Sequence, residues 1–174
     1  MITIVKPVLV IVCSIMMIGC VNTYQALETK QTVVSQNLEG SWQLIRETLK
    51  VGDNKYVTFD GKNRQMIKIF NKSHFSFASI GKQRPKFDSY QLTDDQKITA
   101  YDNFSGSLGR YTINKDILIE KIEFSSFPNY EGISIPFNVN IDGNTLIQQG
   151  NYPLILLGLG DQDGYLHATF KRIK

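Results

Sequence analysis

Glu120 and Glu123 are the carboxylates whose type and spacing most invite a chemical reading, since paired acids can divide the roles of proton donor and acceptor. They lie, however, in Ile117-Leu118-Ile119-Glu120-Lys121-Ile122-Glu123-Phe124-Ser125, which reads as a strand. Residues an odd number apart on a strand point to opposite faces, so the two acids cannot share a substrate. The face carrying Leu118, Glu120, Ile122 and Phe124 is the more apolar and is assigned to the interior. Glu120 then needs a partner, because an unpaired buried carboxylate is costly. Arg110, Tyr111 and His74 are the candidates.

His74 and His167 are the only imidazoles, and Glu120 or Glu123 would be the third donor of a two-histidine metal set. No cysteine is available to join them. The expected roles are ordinary: His74 hydrogen-bonds inside or at a rim, and His167 faces water. Asp161-Gln162-Asp163-Gly164 opens like a calcium loop, but no glutamate closes it at the required distance, so it reads as a turn. No nucleophile elbow, phosphate loop, dinucleotide fingerprint or zinc-protease motif occurs. No catalytic residue, metal or cofactor is expected.

The chain's compartment is written in Met17-Ile18-Gly19-Cys20. One basic residue, Lys6, precedes an apolar run over 7–18, which stops short of the ~20 residues that a membrane-spanning helix needs. The layout resembles a bacterial lipoprotein signal, in which the cysteine sulfur receives a diacylglyceryl group and the freed amine is acylated. That resemblance makes 1–19 a signal peptide, Cys20 the lipid attachment site, and the polar stretch 20–37 a tether. No acidic cluster follows Cys20, so the expected position is the outer membrane, facing the periplasm. Cys13 leaves with the signal, and the folded part then has no disulfide to rely on. A formal net charge of +3 gives no broad field for nucleic acid.

These side chains must be positioned by a chain that is almost wholly β from residue 38 onward. Apolar alternation marks strands at 42–45, 56–59, 65–70, 74–80, 110–113, 117–125, 133–141, 145–149 and 165–173, with turn signals such as Asp142-Gly143 between them. Regular spacing and short connections favour a single all-β, up-and-down antiparallel β-barrel of about eight or nine strands over 38–174, since closure removes exposed edges. Pro136 predicts a bulge or break within 133–141. Thr93-Asp94-Asp95-Gln96 has capping-box spacing and predicts a short helix in the long connection 81–109, over a barrel mouth.

The Gly40-x-Trp42 pair resembles the opening strand of lipocalins and fatty-acid-binding proteins, with Arg172 placed to stack on the tryptophan from the last strand. Asn71-Lys72-Ser73-His74-Phe75-Ser76-Phe77, Gly109-Arg110-Tyr111-Thr112 and 119–126 resemble the bacterial lipocalin-like domain family, as does the hairpin at 143–150. The resemblance implies a lipocalin-like barrel closed structurally by Gly40, Trp42 and Arg172, with a lumen for a small apolar or amphipathic ligand. Phe75, Phe77, Tyr111, Glu120 and Phe124 are then the candidate ligand-binding wall. A lumen filled by its own side chains is the alternative, and it would make the barrel an interaction or assembly module in the envelope. The apolar segment 154–159 is either a buried strand or an exposed loop serving as a lid, a membrane contact or a protein-docking site.

Overall fold

Two-residue alternation carries through most of the computed structural model, which describes residues 37–173. The expected signal peptide, Cys20 and the tether short of Asn37 lie outside the described residues. Nine strands form: β1 (Gly40–Val51), β2 (Asn54–Phe59), β3 (Arg64–Phe70), β4 (His74–Gly81), β5 (Phe104–Asn114), β6 (Ile117–Ser125), β7 (Ser134–Asp142), β8 (Thr145–Tyr152) and β9 (Gly164–Arg172). All pair antiparallel, and β9 pairs back onto β1, so the sheet closes into the expected barrel. β3 takes the start of one edge of β1 and β2 takes its end, both running opposite to β1. They make one stave interrupted at 60–63, so the barrel has eight staves and one supplementary strand.

Inward positions are apolar where alternation is regular. On β7, Ile135, Phe137 and Val139 are buried while Ser134, Pro136 and Asn138 are exposed. Pro136 causes no break: β7 stays in register with β6, and its ladder to β8 begins only at Asn138. The missing donor therefore interrupts no rung on that side.

The alternation is reset elsewhere. Ile45 is an extra residue of β1 against β9, between the partners Leu44↔Phe170 and Arg46↔Thr169. Glu123 is an extra residue of β6 against β5, between Gly109↔Ile122 and Leu108↔Phe124. Each bulge turns the residues beyond it to the opposite face. At the second, a Cβ on Gly109 would overlap the Lys121 carbonyl oxygen, so the close approach of the two backbones requires glycine.

The expected helix is α1 (Asp94–Asp102), capped reciprocally: Gln96 N–H donates to Thr93 Oγ1 at 3.3 Å and Thr93 N–H to Gln96 Oε1 at 2.9 Å. It buries no residue, and Tyr101 hydrogen-bonds the Ser126 carbonyl, so it lies against the barrel rather than plugging it. Segment 154–159 is neither a strand nor a plain loop. It forms a single turn, α2 (Leu154–Leu157), ended by Gly158 at φ 68°.

Candidate functional site

The barrel interior is divided into two halves by a buried polar trio. At one end Trp42, fully buried, donates from Nε1 to the Leu38 carbonyl at 2.8 Å. The Arg172 guanidinium lies 4.1 Å from the indole centroid and donates to the carbonyls of Glu39, at 2.7 Å, and of Asn37. Phe70 and Leu118 are buried in the same core cluster as Trp42.

The dividing trio comes from three staves that are not neighbours in the sheet. Lys68 of β3 places its Nζ 2.5 Å from Glu120 Oε1 of β6 and 3.1 Å from Gln148 Oε1 of β8. Gln148 Nε2 donates to the same Glu120 oxygen at 3.0 Å, and all three side chains are buried. Phenyl rings of Phe70, Phe75, Phe137 and Phe170 stand 5.3–6.0 Å from Nζ. The ion pair and the ring faces together hold an ammonium that the interior would otherwise exclude.

Above the trio is a cavity of about 280 Å³. Its apolar wall includes Leu44, Phe59, Phe77, Ile122 and Leu166, and hydroxyls from Ser79, Ser105, Ser107 and Ser125 mark its upper part. Tyr130 and Tyr152 meet there with their oxygens 2.6 Å apart, and burial pushes both phenols up, so they stay protonated. Glu47 also faces this space. Burial raises its carboxyl above the ordinary range, opposed by the Thr58 hydroxyl at 2.8 Å and by the more distant charge of Lys68.

The model of the lipocalin-like domain matches residues 39–173, the whole of this barrel. The chain belongs to the lipocalin-like domain family. Among solved structures, lobster apocrustacyanin A1 is similar at 16% identity, covering 86% of this chain and 68% of that one, with a TM-score of 0.41. No curated protein matches the sequence significantly.

Of the five wall residues expected from the sequence, this lipocalin-like barrel places Phe75, Phe77 and Glu120 on the cavity. Tyr111 lies below the trio, edge-on to Phe70 with centroids 5.4 Å apart, its hydroxyl donating to the Asn71 carbonyl. Phe124 faces outward and is 62% exposed, because the Glu123 bulge reverses the face of every β6 residue after Ile122. Ser125 lines the cavity in its place. Glu120 takes its proton donors from Lys68 and Gln148, not from Arg110, Tyr111 or His74. Arg110 pairs outside with Glu123 at 2.7 Å, and His74 is exposed beside Ser73.

His74 and His167 are thus apart from Glu120, and no group of metal-ligating side chains gathers among the described residues. Asp163 accepts from the Ile155 amide at 3.1 Å, tying the turn before β9 to α2. Lys68, Gln148, Glu47 and the two tyrosines were not visible as site residues in the sequence. On β3 the face with Ile67 and Ile69 reads as the apolar one, yet both are nearly half exposed while Lys68 is buried. The legible signal was Met66 and Phe70, which flank Lys68 at two-residue spacing.

Proposed function

We propose that this chain is a lipid-anchored, lipocalin-like lipoprotein that holds a small hydrophobic or amphipathic ligand in its lumen at the bacterial cell envelope. The single observation carrying the binding reading is the cavity above the Lys68–Glu120–Gln148 floor. At about 280 Å³ it sits at the lower edge of the range for small-molecule sites, and its mixture of rings and hydroxyls suits an amphipathic occupant. The floor's charged groups are locked to one another, which favours a binder over an enzyme. Native mass spectrometry of the purified full chain tests this: a small molecule released on unfolding supports it, and an empty chain that takes up no amphipathic compound defeats it.

The anchoring part rests on Lys6, the apolar run and Gly19-Cys20. Acyl chains on Cys20 would hold the domain effectively permanently at the outer membrane's periplasmic face, since each buried methylene adds ~0.8 kcal/mol. An intact mass showing an acylated N-terminal Cys20 is the expected result, and an uncleaved, unmodified N-terminus overturns it.

A second reading, an interaction or assembly module, is favoured by one feature. Leu154 and Leu157 anchor α2 while Ile155, Leu156 and Leu159 project outward at 57%, 68% and 49% exposure. Changing Ile155 and Leu156 to serine should then dissolve envelope complexes containing this chain. Complexes unchanged by that double substitution remove this reading.

A further inference from the structure

Glu47 is in the lumen because of the Ile45 bulge. Without that extra residue, Trp42 and Leu44 would share their face with Arg46, and Glu47 would point to water. The bulge brings the carboxylate inward opposite Ala168, which is too small to cover it, and beside Phe59. Its polar partner is the Thr58 hydroxyl, and among the described residues no cation stands within ion-pair distance of it. The nearest lumen cation, Lys68, is committed to Glu120 and Gln148. Arg64, also on the cavity, spends its guanidinium on Ser79 and on the Asp102 carbonyl.

The neighbours of Glu47 are mostly rings. Tyr130 and Tyr152 are near enough for its charge to raise their phenols, and Phe127 stacks edge-on against Tyr130 with centroids 5.8 Å apart. An acid without a counter-ion, turned into an aromatic cavity, is the chemistry that receives an organic cation: the carboxylate supplies charge and the ring faces supply a second attraction. Glu120 is already matched by Lys68, which leaves Glu47 as the cavity's acid without an ion-pair partner among the described residues.

We infer that the lumen takes a small organic cation, an amine or ammonium group on a compact apolar body, with Glu47 as its counter-ion and Phe59, Tyr130 and Tyr152 as its walls. This rests on the reading of the cavity as a ligand site and narrows its ligand class.

Calorimetric titration of the purified full chain with three probes of one size tests it: phenethylamine, which is cationic, 2-phenylethanol, which is uncharged, and phenylacetate, which is anionic. The amine should bind about tenfold tighter than the alcohol or better, and phenylacetate weakest. Glu47→Gln should erase the preference, bringing the amine and the alcohol to within about threefold of each other. In the unmodified chain the amine's advantage should shrink on acidification, as Glu47 takes up its proton, while the alcohol's affinity stays flat. Equal binding of amine and alcohol, or a preference that survives Glu47→Gln, overturns the cation inference alone. If none of the three binds, the ligand-site reading falls with it.

Discussion

Lys68 and Glu120 meet 2.5 Å apart across the barrel lumen, from staves β3 and β6 that share no hydrogen bond in the sheet. Each is the reason the other can be buried. Lys68→Met should therefore cost about 3–5 kcal/mol, because it strands the Glu120 carboxylate with Gln148 alone. Replacing the whole trio, Lys68→Met and Glu120→Met with Gln148→Leu, should recover most of that loss, since an apolar set leaves neither a charge nor the Gln148 amide without a partner. Urea denaturation of the two variants measures it. A single variant as stable as the parent would mean that Glu120 is held by something else.

The other end depends on Gly40 as much as on Trp42 and Arg172. Gly40 sits at φ 126°, and a Cβ there would lie 2.7 Å from the Arg172 guanidinium nitrogen. Gly40→Ala should cost about 1–3 kcal/mol through backbone strain and displacement of that guanidinium. Arg172→Lys keeps the charge but cannot bridge the carbonyls of Asn37 and Glu39, and should cost about 1–2 kcal/mol. Denaturation midpoints for both variants check the two values.

The barrel was legible because strand alternation is a local signal. Its closed end joins Trp42 on the first strand to Arg172 on the last, and was legible through the resemblance carried by Gly40-x-Trp42. Thr93 and Gln96 announced α1 by a local signal as well. The site was only partly legible. A bulge is a single inserted residue with no sequence marker of its own, and the two at Ile45 and Glu123 decide which way Glu47 and Phe124 point. Lys68 was hidden differently: its partners, Glu120 and Gln148, come from distant strands, so a buried lysine looks in sequence like a solvated one.

The Glu123 bulge makes a direct prediction about two phenylalanines. Phe124→Ser, on the exposed face, should change stability by no more than about 0.5 kcal/mol. Phe75→Ala, 2% exposed and beside the Lys68 ammonium, should cost about 3–5 kcal/mol. Thermal unfolding of the pair decides it. Comparable losses would show that β6 runs without the bulge and that Phe124 is inside.

Glu47 gives the barrel a pH dependence whose sign follows from its cause. Burial raises the carboxyl in the folded chain, so the fold favours the protonated form and the unfolded chain releases that proton at lower pH. The contribution is fully present below the ordinary carboxylate range and is lost as pH rises through the raised value. Asp60 works the other way, its carboxyl lowered by the Lys62 amide, but it is common to both proteins in a comparison with Glu47→Gln and cancels. Stability of the parent relative to Glu47→Gln, followed by denaturant titration from about pH 7 down to about pH 4, should therefore rise toward acid. Thr58→Val removes the one hydrogen bond that favours the ionised carboxylate, so it should shift that rise to higher pH. A flat difference curve would place the Glu47 carboxyl in water, outside the lumen.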